Sequence, residues 1–172
     1  MLLQILAHTP KWVFALFGLL LWLGAKQLLA GTVSLTRITI MPLAMAGLSL
    51  YGVMSAFAGT PVALAGWAAA ALAAALVVLQ RPLPAATRYD AATRRFHVGG
   101  SAVPLVLMMG IFFTKYVVGV QLAMEPALAT HLGFALPVAA LYGAFSGIFA
   151  ARALRMWRLA IRDDRAIAGI GA

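Results

Sequence analysis

The chain has 172 residues, 64% of them hydrophobic and 10% charged, with 13 Lys and Arg against 4 Asp and Glu for a formal charge of +9, and no cysteine. An ordinary soluble domain is about 25% charged. The composition is therefore that of a membrane protein, and its apolar runs far exceed the roughly ten-residue alternating strands of an outer-membrane barrel, which leaves an all-α polytopic bundle. Without cysteine the chain holds no disulfide, thiolate metal site or thiol relay of its own. No basic domain is present to host nucleic acid, and the positive charges between apolar spans fit topology and anionic lipid instead.

Residues 1–8 form a short apolar lead that reads as an interfacial segment, not a removable signal peptide. Thr9 and Pro10 look like the N-cap and first residue of span 1, residues 11–29, closed by Lys26 and Gln27. Residues 31–39 read as a linker, after which Pro42 falls in the first turn of span 2, residues 40–57. Gly59, Thr60 and Pro61 make a tight turn into the alanine-rich span 3, residues 61–79, whose small side chains permit close helix approach.

The longest polar connection, residues 81–100, suits a short β-hairpin between helices 3 and 4. Tyr89, Phe96 and Val98 favour strands and Asp90 favours the turn. Span 4, residues 104–124, opens at Pro104, and a short loop with Glu125 and Pro126 leads to span 5, residues 132–152, where Pro137 is placed to bend the helix. A basic extension, residues 153–166, continues it helically, with Leu154, Trp157 and Ile161 on one stripe and Arg155, Arg158, Arg162 and Arg165 on another. The whole, 1–172, reads as a single transmembrane domain of five spans. Spans 2–3 and 4–5 each start with Pro-Leu and close their turn with a proline, Pro61 or Pro126, so they read as candidate parallel repeats.

Arg37, the loop arginines Arg81, Arg88, Arg94 and Arg95, and the tail arginines Arg152, Arg155, Arg158, Arg162 and Arg165 all fall on one side of a five-span plan, with Lys11 alone on the other. The positive-inside rule then gives an outside N-terminus and an inside C-terminus. Lys26, Arg37, Arg152, Arg155 and Arg158 would ring the inner end as snorkelling anchors, as contacts for anionic lipid at the inner leaflet, or as a phosphate-attracting vestibule.

Lys115 is the one charge near the middle of a span. The run around it rises about 30 Å, so its side chain sits near mid-membrane, where a charge costs roughly 2.5–3.5 kcal/mol on insertion scales. No carboxylate lies in any span. The lysine must be neutral, be solvated by hydroxyls and carbonyls, or hold an anion from outside the chain. Counted along the spans, Tyr51 and Tyr142 come to the same depth, with Thr114 and Tyr116 beside it, so these five residues form the candidate binding layer; Gly119 would leave room beside the lysine stem. The alternative is that Lys115 only fixes helix register or docks a partner.

Gly143 and Gly147 form a GxxxG for tight crossing within the monomer, in a homodimer or with a partner membrane protein. His8 and His131 fall on the outer side without metal-ligand spacing, and no cofactor, nucleophile triad or phosphate loop is expected. Two function classes remain: a small-solute or anion transporter or channel with its site at Lys115, and an accessory or structural subunit docking through Lys115 and the GxxxG. A lipid-acting enzyme is disfavoured, since no acid–base pair lies near either interface.

At HTPKWVFALFGLLLWLG, TRITIMPLAMAG, VPLVLMMGIFFTKY and RALRMWRLA the chain resembles a family of small bacterial integral membrane proteins of unknown function. More distantly its plan is similar to the CcdC-like membrane proteins associated with cytochrome c biogenesis, in the arginine before span 2, the two-strand-like insert and the Lys115–Tyr116 pair. The closer resemblance implies a multi-pass protein of the bacterial inner membrane without an assigned activity. The distant one implies no redox role for a chain without cysteine.

Overall fold

The computed structural model describes residues 9–57 and 60–170, with side chains to 166. The interfacial reading of residues 1–8, His8 included, and Gly59 of the expected turn lie outside the described residues. Among these, five α-helices and three strands occur: α1 (Lys11–Lys26), β1 (Gly31–Ser34), α2 (Leu35–Ala56), α3 (Pro61–Leu79), β2 (Arg88–Asp90), β3 (Arg95–Val98), α4 (Val103–Met124) and α5 (Leu132–Ile170), with a 3-10 turn at Pro126–Ala129. The chain divides into two compact units, α1 with α4 in the first and α2, α3, α5 and the strands in the second.

In the first unit α1 and α4 lie antiparallel: a Cβ on Gly24 would press on Leu105, the Phe17 ring meets Phe112 at 5.3 Å, and Thr9 meets Tyr116. α1 ends three residues before the expected limit of span 1, because the Gln27 amide closes back on Gly24 and Ala25. Its 16 residues rise about 24 Å, short of a hydrocarbon core, so it is not among the four helices long and apolar enough to cross a membrane, which are α2, α3, α4 and α5. The chain leaves α1 through a turn where Ser101 donates its amide to the Gln27 carbonyl at 2.9 Å. Gly100 is obligatory there, since any Cβ would overlap the Leu28 carbonyl.

The second unit is built on α5. α3 runs parallel to it, with Gly66 at Leu136, Trp67 at Gly143, Ala71 at Gly147 and Val78 at Arg155. α2 runs antiparallel to it, joined by Ser49 to Tyr142 and Thr39 to Trp157. Within this unit α3 has α5 as its main partner, and α4 belongs to the other unit. α2 also begins earlier than expected because the Ser34 hydroxyl caps it, accepting from the Arg37 amide, which puts Pro42 inside the helix.

The hairpin is present and gains a third strand. Antiparallel pairing in the order β1-β3-β2 sets Val33 opposite Phe96 and Tyr89 opposite Phe96. β1 therefore replaces the expected linker, its four residues finding partners in a strand more than sixty positions away. Asp90 makes the turn by accepting from the Thr93 hydroxyl at 2.7 Å, chiefly, and the Ala92 amide at 3.0 Å, which hold its carboxyl below the ordinary value of 3.8, and Arg94 takes a left-handed φ of 50°.

α5 passes through two cores. One gathers Val53, Phe57, Ala63, Ala135, Ala139 and Tyr142; the other joins Ile38, Phe96 and Ala160 under the sheet. With 39 residues α5 is about 58 Å long, roughly twice a hydrocarbon thickness, and its C-terminal half carries the sheet.

Candidate functional site

Lys115 stands in the middle of α4, half-buried, and helical spacing shows what it faces. Pro104, Met108, Ile111 and Val118 lie within about 60° of it, and of these Pro104, Met108 and Val118 are buried. Val106, Phe113, Val117 and Met124 lie on the opposite side and are exposed. The lysine thus projects from the centre of the covered stripe, not from the face a lipid would meet. One turn on, a Cβ at Gly119 would meet nothing within 4 Å, so the room expected beside the stem is open.

The flanking hydroxyls are engaged. Thr114 donates to the Gly110 carbonyl at 2.7 Å, and Tyr116 shares a 2.7 Å hydrogen bond with Thr9 while its ring stacks on Phe112. Thr114, Lys115 and Tyr116 belong to the first unit, whereas Tyr51 and Tyr142 belong to the second. Tyr51 is 69% exposed on the outward face of α2 with Leu48 and Met54. Tyr142 is buried in the first core, and its backbone carbonyl accepts from the Ser49 hydroxyl at 3.1 Å and the Ser146 hydroxyl at 3.0 Å, while Trp67 Nε1 donates to Ser49 at 3.0 Å. Sequence reasoning missed this three-helix polar node. Its signal was Trp67 alone among alanines opposite a serine in span 2.

Of the basic residues expected to ring one end, Lys26 in the first unit places Nζ 4.4 Å from the Trp22 ring centroid, a cation–π contact one turn apart. Arg37 and Arg158 in the second unit are exposed. Arg152 and Arg155 are half-buried and close enough to feel one another's charge. Arg155 also donates Nη1 to the Val78 carbonyl at 3.3 Å and Nη2 to the Pro82 carbonyl, so it closes the C-terminus of α3, where a cation is favoured by the helix dipole.

The GxxxG is filled within the unit: Cβ atoms on Gly143 and Gly147 would overlap the carbonyls of Trp67 and Ala71. Of the apolar tail stripe only Trp157 turns inward, donating Nε1 to Thr39 at 2.9 Å, while Leu154 and Ile161 are exposed. Partial burial, then the nearby Asp164 carboxylate, push the Tyr89 phenol above the ordinary value of 10.0. Among the described residues no three His, Asp or Glu side chains converge as a metal site would require.

Four helices of spanning length and apolarity, two of them packed along a third, are consistent with a multi-pass helical membrane protein. A family model described as a family of unknown function, DUF6622, matches residues 1–169, and the chain belongs to that family. No curated protein and no solved structure matches the chain.

Proposed function

We propose that the chain is a five-span protein of the bacterial inner membrane, N-terminus outside and C-terminus inside, that binds a small anionic or polar solute at Lys115 as a transporter, channel or solute-binding component. The five crossings draw support from the parallel run of α3 and α5. Two parallel spans oblige the chain between them to return across the bilayer, and α4 is the described helix in that stretch able to do so. α1, antiparallel to α4, is taken as the fifth; at about 24 Å it crosses where the bilayer thins locally and Lys11 and Lys26 snorkel at its ends. The start of α2, the end of α3, the sheet and the tail gather at one end of the second unit, bringing Arg37, Arg81, Arg88, Arg94, Arg95 and the tail arginines with them, as an inner face requires. A reporter fused after Arg165 is expected to be active only in the cytoplasm; activity solely outside would reverse the orientation.

The solute reading rests on one observation, the position of Lys115 at the centre of the covered stripe of α4 beside the open space at Gly119. Ionisable groups in spans face protein interiors or water-filled cavities and mark solute pathways. The competing reading, a subunit docking a partner through Lys115 and the GxxxG, loses its second face because α3 fills it. Native mass spectrometry of the detergent-purified protein beside Lys115→Gln decides between them. A small bound species lost about tenfold or more in the variant is the expected result, as removal of a charge-assisted contact implies. Identical adducts in both proteins, with a stoichiometric second polypeptide, would favour the docking subunit.

A further inference from the structure

Arg155 reaches the end of α3 with both terminal nitrogens, yet its Nε is buried with no hydrogen-bond partner. A buried, unpaired donor on a cation is costly, and structures retain such a group where something outside the chain completes it. One turn back on the same helix Arg152 is half-buried and, among the described residues, makes no hydrogen bond or ion pair. Two like charges at i and i+3 repel, and the neighbouring acids do not relieve them. Asp90 is bonded to Ala92 and Thr93, and Asp163 and Asp164 lie more than two turns further along α5. The exposed Arg158 shows how a merely solvated arginine of this helix stands.

The pair sits level with Val78 and Pro82, where α3, a helix of spanning length, ends. For a crossing helix that level is the membrane–water boundary, the depth of phospholipid phosphates, and basic pockets between helices on the inner side suit such groups.

We propose that Arg152 and the Nε–H of Arg155 form a site for a phosphate group, presented by an anionic phospholipid or by a free phosphate. Arg152 offers its guanidinium fork to two oxygens and Arg155 one N–H to the third, while its other two nitrogens stay on α3. A bound phosphate would thereby tie α5 to the end of α3. The inference rests on the second unit crossing the membrane and is independent of Lys115.

The test measures two probes on the purified full chain: phosphatidylglycerol, counted by native mass spectrometry after exchange into phosphatidylcholine nanodiscs, and inorganic phosphate, titrated against lipid-free protein in micelles. The variants are Arg152→Gln, Arg155→Lys, which deletes Nε but keeps a cation for the α3 carbonyls, and Arg158→Gln as the exposed control. Thermal melting confirms that each is folded, and Arg155→Lys carries the test should Arg152→Gln fail to fold. Binding of at least one probe that falls about tenfold in the Arg152 and Arg155 variants and holds in Arg158→Gln is the expected result. Phosphatidylglycerol alone then assigns a lipid, and inorganic phosphate a free anion. Binding of neither probe, or a loss in Arg158→Gln equal to that in Arg152→Gln, overturns the site and leaves only diffuse attraction.

Discussion

Phe96→Ala should destabilise the second unit by about 3–5 kcal/mol, the largest single effect expected in this chain. The ring is fully buried and closes the core that Ile38 brings from α2 and Ala160 from α5, with Tyr89 4.8 Å away between ring centroids and Val33 opposite across the strand pair. A three-stranded sheet of three- and four-residue strands has no independent stability. It is held by this face, so truncating its central residue releases all three strands together. Equilibrium unfolding in mild detergent, with limited proteolysis across residues 88–98, reads both consequences. Phe96→Leu, which keeps most of the volume, is expected to lose far less. A loss under about 1 kcal/mol for the alanine variant, with the loop still resistant, would mean that the sheet is supported elsewhere.

The second large effect is expected at Gly147. α3 and α5 approach so closely that a methyl group there would overlap the Ala71 carbonyl, a backbone atom that moves only if the helices part. Gly147→Ala should therefore cost about 1–3 kcal/mol despite alanine's better helix propensity. Gly133→Ala supplies the contrast. It lies on the same helix with nothing within 4 Å of the added carbon, so propensity acts alone and the change is neutral or stabilising by up to about 1 kcal/mol. Equal effects at the two positions would show that the crossing is looser than the geometry states.

These residues also show what was legible beforehand. The starts of α3 and α4 fall within a residue of the sequence reading because Pro61 and Pro104 sit in the first turn, where the missing amide costs no helical hydrogen bond. The hairpin was legible because Tyr89, Phe96 and Val98 alternate around an aspartate that can close a turn. β1 was not: Gly31–Ser34 has one large apolar residue, and its strand state exists only through pairing with β3. The second core was also hidden, since Ala160 carries no periodic signal that sets it apart from the exposed Leu154 and Ile161.

For the candidate site, the lone charge in span 4 was plain, and so was its face, because helical spacing is fixed by the chain itself. Depth counting was less informative for the tyrosines. It carries no information on facing, and Tyr51 points outward from α2 while Tyr142 is buried against it. The GxxxG announced a close crossing, but its partner, the Trp67 and Ala71 carbonyls of α3, could only come from the fold.

The absence of cysteine allows the most direct test of the solute reading. Lys115→Cys and Val117→Cys place single thiols on opposite faces of α4, to be treated in native membranes with a water-borne, membrane-impermeant methanethiosulfonate. A water-reachable binding layer at Lys115 predicts labelling at position 115 and none at the exposed, opposite-facing position 117, which a crossing α4 would turn to lipid. An unreactive thiol at 115, whether or not 117 reacts, would contradict it and make Lys115 a dry packing residue.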